Sequence, residues 1–253
     1  MNSLAISGTV FACAFGGTIV GIFLQRILPE LHLRQESRDV IKLGTGLIAT
    51  MAALVLGLLI GGAKSAFDAQ RSGFQQLATN LILLDRALAH YGPEAKPARE
   101  QLRGAVASMI DRLWPADGSP SSGLDDPTIT ADSGTLYTTI RDLAPLDDSQ
   151  RSLQAQAFQV GAELARTRWL LSQTDDDSLP IPFLVVLAFW LFVLFTSFGL
   201  FSPRNGTVLV VLFVCALSVA GAVFLIVDLD QPFEGLIQVS STPLRNCLAQ
   251  LGR

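Results

Sequence analysis

Apolar positions in this chain follow two patterns. Four stretches, 1–25, 43–63, 178–203 and 205–227, contain no charged residue. Elsewhere apolar residues recur at steps of three and four between polar ones, the pattern of one-sided helices. A helix rising about 1.5 Å per residue needs roughly 20 apolar residues to cross a hydrocarbon core. Each neutral stretch has that length. Backbone polar groups meet no water there, so helices are the expected spanning form. The pattern predicts transmembrane helices near 4–25, 43–65, 180–201 and 206–227. Ala12-Cys13-Ala14 imitates a secretory cleavage site, but Met1-Asn2-Ser3 lacks basic residues and the apolar run is long, so the first span is expected to be retained.

The second pattern fills the middle of the chain. Phe74, Leu77, Leu81, Leu84 and Leu88 continue the second span as an amphipathic helix over 67–91, which Gly92-Pro93 stops. Leu102, Val106, Met109 and Leu113 predict a helix over 94–113, ending at Pro115. Ala116 to Gly134, rich in Asp, Ser, Pro and Gly, reads as a loop. Helices near 135–143 and 148–172 follow, the second carrying Leu153, Phe158, Leu164 and Leu171. No strand is signalled. The expected fold is an all-α membrane protein with four transmembrane helices and a helical water-facing domain between helices two and three. Its segments are 1–65 (helices one and two), 66–177 (the helical domain), 178–228 (helices three and four) and 229–253 (the C-terminal segment).

Composition agrees. Only 16% of the 253 residues are charged, against about 25% in soluble domains. All 18 basic and 22 acidic residues lie outside the neutral stretches. A net charge of −4 leaves no basic footprint for nucleic acid. Cys13 and Cys215 fall inside predicted spans, and Cys247 stands near the C-terminus, so neither a disulfide framework nor a zinc site is implied. Orientation is nearly balanced by charge. Arg26, Arg34, Arg38, Lys42 and Arg204 flank one side, and Lys64, Arg71, Arg166, Arg168 and Arg245 the other, with density slightly favouring a cytoplasmic first loop.

Catalytic signatures are absent. His32 and His90 have no metal-ligand neighbour at helical spacing, and no nucleophile–base motif occurs, so the chain is not expected to be an enzyme. Gly44-x-Gly46-x-x-Ala49 mimics a dinucleotide fingerprint but lies at the start of an apolar span with no strand before it. Asn205-Gly206-Thr207 matches a glycosylation sequon in a turn too close to the bilayer. Asp175-Asp176-Asp177-Ser178 before Leu179-Pro180 reads as the N-terminal cap of the third span. Phenylalanines three apart from Phe189 to Phe201 drift around that span, as lipid contact and packing require.

Two features point to function. Gly46, Thr50, Ala53, Gly57 and Gly61 recur at steps of four and three along one narrow face of the second span. Gly8, Ala12, Gly16, Gly17 and Gly21 form a shorter version in the first. Small residues at this spacing admit a close helix neighbour, within or between subunits, or line a pore. Apart from Lys64 at the very end of the second, no Lys or Arg lies inside a span, so an anion pathway would rely on helix N-termini and weak, partly dehydrating contacts. The second feature is Asp228-Leu229-Asp230-Gln231-Pro232-Phe233-Glu234-Gly235 after the fourth span. The carboxylates Asp228, Asp230 and Glu234 could hold a hard cation such as Ca²⁺ through oxygen ligands, or end a helix as solvated charges.

That segment, continued by Ile237-Gln238-Val239-Ser240, resembles the C-terminal signature of the bacterial bestrophin-like family, in which Asp230, Pro232, Phe233 and Gly235 are the motif residues. Leu84-Asp85-Arg86, His90-Tyr91-Gly92-Pro93-Glu94, Arg99, Leu102-Arg103 and Trp114-Pro115 resemble its central helices, and Phe198-Gly199-Leu200-Phe201-Ser202-Pro203 its turn between the last two spans. Phe67-Asp68 is similar to the aromatic-acidic pair into which the second span of true bestrophins runs. The resemblance implies a homopentamer in a bacterial inner membrane, in contact with lipid and permeable to inorganic anions such as chloride. It further implies a second span nearest the axis, a cytoplasmic central domain and a cation-sensing role for the acidic segment. A non-conducting membrane scaffold or accessory subunit, docking a partner through its helical domain, is the competing expectation.

Overall fold

The computed structural model describes residues 3–28, 35–115, 119, 121–124, 126–176, 181–203, 205–233 and 235–252, and their side chains except those of 35–38, 174–176 and 181. Among the described residues eight α-helices follow one another: α1 Ser3–Ile27, α2 Gln35–Tyr91, α3 Lys96–Leu113, α4 Pro127–Arg141, α5 Asp148–Asp176, α6 Ile181–Phe201, α7 Gly206–Leu229 and α8 Thr242–Gln250. No strand occurs among the described residues. Four helices are long and apolar enough to cross a membrane: α1, α6, α7 and the N-terminal part of α2.

The chain divides into two compact units, and the division falls inside α2. The first comprises residues 1–65 and 179–230, the second 66–178 and 231–253. α2 runs for 57 residues because nothing in it stops a helix. Its end is set by Gly92, whose φ of 129° favours a residue without Cβ, followed by Pro93, which begins a short 3₁₀ turn into α3.

In the first unit α1 packs along α6 and α7 around a core of Val10, Ala14, Leu191, Phe195, Val223 and Ile226, joined from α2 by Ala52, Leu59 and Ala63. α1 and α6 meet backbone to backbone. A Cβ at Gly21 would lie 2.1 Å from the Thr196 carbonyl oxygen, and one at Gly199 2.3 Å from that of Thr18. Gly17 is similarly close to Phe192. In lipid, where apolar tails offer no hydrophobic drive for association, such close approach lets dispersion hold helices together. The predicted small face of the first span therefore splits: Gly17 and Gly21 pack, while Gly8 and Gly16 face open space. Phe11, Phe15 and Phe213 close the opposite flank, with both α1 rings edge-on to Phe213 at 5.4 Å.

The second unit is a helical bundle around Phe74, Leu84, Leu88, Leu102, Val106 and Leu113, the periodic residues of α2 and α3. Gln154 of α5 donates to the carbonyls of Ile140 (3.0 Å) and Leu143 (2.9 Å), holding the open end of α4. The expected loop from Ala116 to Gly134 is shorter than predicted. α4 starts at Pro127, and Asp126 caps it by accepting from the Thr128 amide at 2.8 Å. Its Ser, Thr and Gly content resembles a loop, yet Ile129, Leu136 and Ile140 bury an apolar face that overrides weak propensity.

Two further expectations are corrected. Asp175 and Asp176 belong to the last turn of α5 instead of capping the third span, because α5's helical backbone continues through them. Asp177 to Pro180 lie outside the described residues. The C-terminal segment, given no element from sequence, carries α8, which seats Leu244 and Cys247 in the core.

Candidate functional site

The small-residue face of α2 is the first candidate. Gly46, Thr50, Ala53, Gly57 and Gly61 are all exposed within the protomer. A Cβ added at Gly46, Gly57 or Gly61 would meet nothing within 4 Å. Ala52, Leu59 and Ala63 form the packing face of the same helix. At 3.6 residues per turn the small face is centred about 140° from it. Among the described residues nothing packs closely against these three glycines. Leu47, Leu54 and Leu58 are also exposed and occupy the adjoining arc. Thr50 turns its hydroxyl back on the helix, donating to the Gly46 carbonyl at 2.9 Å.

Near the start of the same span, Thr45 and Ser197 bring their hydroxyls within 3.2 Å, tying α2 to α6. Asn205 takes the N-cap position of α7 without a side-chain capping bond.

The signature after α7 is the second candidate. Asp228 lies in the last full turn of α7 and is 1% exposed. Asp230 is the helix's C-cap and half-buried. Glu234 lies outside the described residues. No group of three His, Cys, Asp or Glu side chains placed to hold a metal ion occurs among the described residues. His90 stands away from any such group, its Nδ1 2.7 Å from the Arg86 carbonyl oxygen.

The apolar part of the signature has a clear task within the second unit. Phe233 inserts edge-on between Phe74 (5.8 Å between ring centres) and Trp114 (5.7 Å), while those two rings are 5.4 Å apart. Such edge-to-face contacts exploit the ring quadrupole. Pro232 is buried, its carbonyl accepts from the Val239 amide at 2.9 Å, and the Gly235 amide donates to Gln231 at 3.1 Å. Trp114 Nε1 donates to the Val239 carbonyl at 2.9 Å. The motif folds the C-terminal chain onto the bundle.

A polar lock ties α2, α3 and the C-terminal segment together. Arg99 grips Asp85 through Nε–Oδ1 (2.8 Å) and Nη2–Oδ2 (2.9 Å), and the Gly252 amide also donates to Oδ2 at 3.3 Å. The hydrogen bond to Asp85 holds the Arg99 guanidinium's pKa above its usual value. Burial, with the Asp85 carboxylate adding to it, pushes the Cys247 thiol up to about 11. Burial also raises Tyr91, with Glu94 and Asp147 adding charge repulsion. The Asp126 carboxyl is lowered to about 2, chiefly by the Thr128 amide and further by Arg112 at 2.7 Å. Sequence spacing marks Asp85, Arg99, Trp114 and Phe233 only as motif members; their pairing joins residues far apart in the chain.

These arrangements suit helix packing. No curated protein matches the chain. A crystal structure of a bacterial bestrophin homologue from Klebsiella pneumoniae, carrying a point mutation, is similar over 97% of this chain and 98% of its own, with a TM-score of 0.66 and 15% sequence identity. At that identity the likeness is one of fold: all-helical, with four long apolar helices. A family model described as Bestrophin-like domain matches residues 12–244, from α1 into α8. With nearly its whole length so matched, the chain is a membrane protein that belongs to the bestrophin-like family.

Proposed function

We propose that the protein is an oligomeric ion channel, permeable to inorganic anions such as chloride, with α2 lining the pathway. The observation that carries this reading is the unused small face of α2. Gly46, Thr50, Ala53, Gly57 and Gly61 present backbone and short side chains to open space, although mid-helix glycine weakens a helix by about 1 kcal/mol relative to alanine. Around an axis, five such faces would leave room for a partly hydrated ion and offer it backbone dipoles. The neighbouring arc of Leu47, Leu54 and Leu58 is then available for the adjacent subunit. The solved structure of a bacterial bestrophin homologue supports the arrangement by its fold. In this reading the assembly is a homopentamer in a bacterial inner membrane, and residues 66–177 form a water-facing, cytoplasmic domain.

One observation favours the non-conducting scaffold. The face carries no ionisable group, and the Thr50 hydroxyl spends its proton on Gly46, so an ion gains no side-chain donor there. Counting subunits of the purified particle by native mass spectrometry, then measuring halide flux in liposomes, separates the two. A ring of five that passes halide, with flux cut at least tenfold by Gly57→Leu while the ring persists, is the expected result. A monomer or dimer, a silent ring, or a Gly57→Leu variant that conducts normally would reject α2 as the pathway.

A further inference from the structure

The second unit contains an apolar cavity of about 300 Å³ between α2, α3, α4 and α5. Well-packed interiors leave few voids larger than a water molecule, and this one falls at the lower end of small-molecule sites, roughly 300–1,000 Å³. Its floor is Leu84, Leu102, Val106 and Ile140, all buried. The predominantly apolar lining suits an apolar guest.

Gly161 faces this cavity, and Gly134 stands exposed at its edge. Gly134 in α4 and Gly161 in α5 stand mid-helix on its lining. Neither has a positive φ, and a Cβ at either would meet nothing within 4 Å. Glycine weakens a helix interior, and no close backbone approach requires it here. What glycine provides at position 161 is space in the cavity.

The lining also carries a cation. Arg168 is half-exposed, and its Nη1 donates to the Ile129 carbonyl (3.1 Å) and the Ser133 hydroxyl (3.0 Å). Those bonds fix the guanidinium at the cavity and leave Nε and Nη2 without a hydrogen-bond partner among the described residues. A guanidinium held in this manner suits an oxyanion, which it can grip with two parallel bonds. Asp132 is the one acidic group on the lining.

We propose that this cavity binds a single acyl chain bearing an anionic headgroup, the chain among the leucines and the headgroup on Arg168. A free fatty acid and a lysophospholipid share that chemistry. The test uses the full-length protein in nanodiscs, photolabelled with a diazirine derivative of laurate and mapped by peptide mass spectrometry. Label is expected on peptides of α3 to α5, competed by unlabelled laurate. Arg168→Met should lower it at least fivefold, Asp132→Asn should raise it about twofold by removing a repelling charge, and Gly161→Leu should abolish it by filling the space. Competition by laurate against lauroyl lysophosphatidylglycerol identifies the source, the tighter competitor being the ligand class. Label confined to the spanning helices, or undiminished in both Gly161→Leu and Gly134→Leu, would overturn the proposal. Failure of both filling variants to assemble would overturn it too, since the space would then not be free.

Discussion

The indole Nε1 of Trp114 donates a hydrogen bond to the carbonyl oxygen of Val239, 2.9 Å away and 125 residues further along the chain. Val239 is 2% exposed, so this carbonyl has no access to bulk water as a substitute. The same indole meets Phe233 edge-on, which makes one side chain the receiver for both halves of the C-terminal signature. Trp114→Phe keeps an aromatic ring but orphans the carbonyl, at a cost of about 1–3 kcal/mol. A lowered denaturation midpoint, with faster amide exchange at Val239, is the expected result. Unchanged exchange there would mean that the bond does not hold the segment.

Asp85 and Arg99 form a two-bonded charge pair, with side-chain exposures of 7% and 20%. Removing one partner of a fully buried pair costs roughly 3–5 kcal/mol because the other charge is left uncompensated. Arg99 keeps some solvent, so Asp85→Asn should cost less, about 2–3 kcal/mol. The double variant Asp85→Asn, Arg99→Gln should recover part of that loss in chemical denaturation. Recovery distinguishes a charge effect from simple loss of packing.

Cys247 is fully buried, and burial with the nearby Asp85 carboxylate pushes its thiol up to about 11. A neutral acid whose folded pKa is raised contributes stability fully below its unfolded pKa, and that stability is lost as pH rises through the folded value. Tyr91, also raised, adds to the same alkaline side. Stability of the second unit is therefore expected to fall between about pH 9 and 11, and Cys247→Ala should flatten the fall. Iodoacetamide at pH 8 should leave Cys247 unmodified until denaturant is added, which intact-mass measurement reads directly.

Gly199 and Gly57 supply a matched contrast. An added methyl at Gly199 runs into the Thr18 carbonyl at 2.3 Å, where backbone must move, whereas one at Gly57 meets open space within the protomer. Gly199→Ala should destabilise by about 1–3 kcal/mol or more through overpacking. Gly57→Ala should leave protomer stability within about 0.5 kcal/mol. Melting temperatures of the two purified variants check the difference. Equal losses would mean that Gly57 also sits against a neighbour.

Much of the fold was legible in one dimension. Charge-free runs of about 20 residues marked α1, the N-terminal part of α2, α6 and α7, because lipid forbids unpaired backbone and tolerates few charges over that length. The three- and four-residue steps from Phe74 to Leu113 marked the core of the second unit, and Gly92-Pro93 marked its corner. α4 and α8 were less legible: short, rich in Ser, Thr and Asn, they are helical because Ile129, Leu136, Leu244 and Cys247 found a core to enter.

The candidate site shows the same division. Spacing alone placed Gly46, Thr50, Ala53, Gly57 and Gly61 on one face, since helical geometry is local. Whether a neighbour fills that face is a tertiary matter. The fold gave close backbone contact to Gly17, Gly21 and Gly199 and left Gly46, Gly57 and Gly61 of α2 open, although all have the same side chain and similar spacing. Likewise, sequence named Asp85, Arg99, Trp114 and Phe233 as members of motifs, but only the folded chain decided that Arg99 neutralises Asp85 and that Phe233 rests on Trp114. Helix formation and membrane insertion follow from neighbouring residues and solvent, whereas pairing across 125 residues depends on how the whole chain closes.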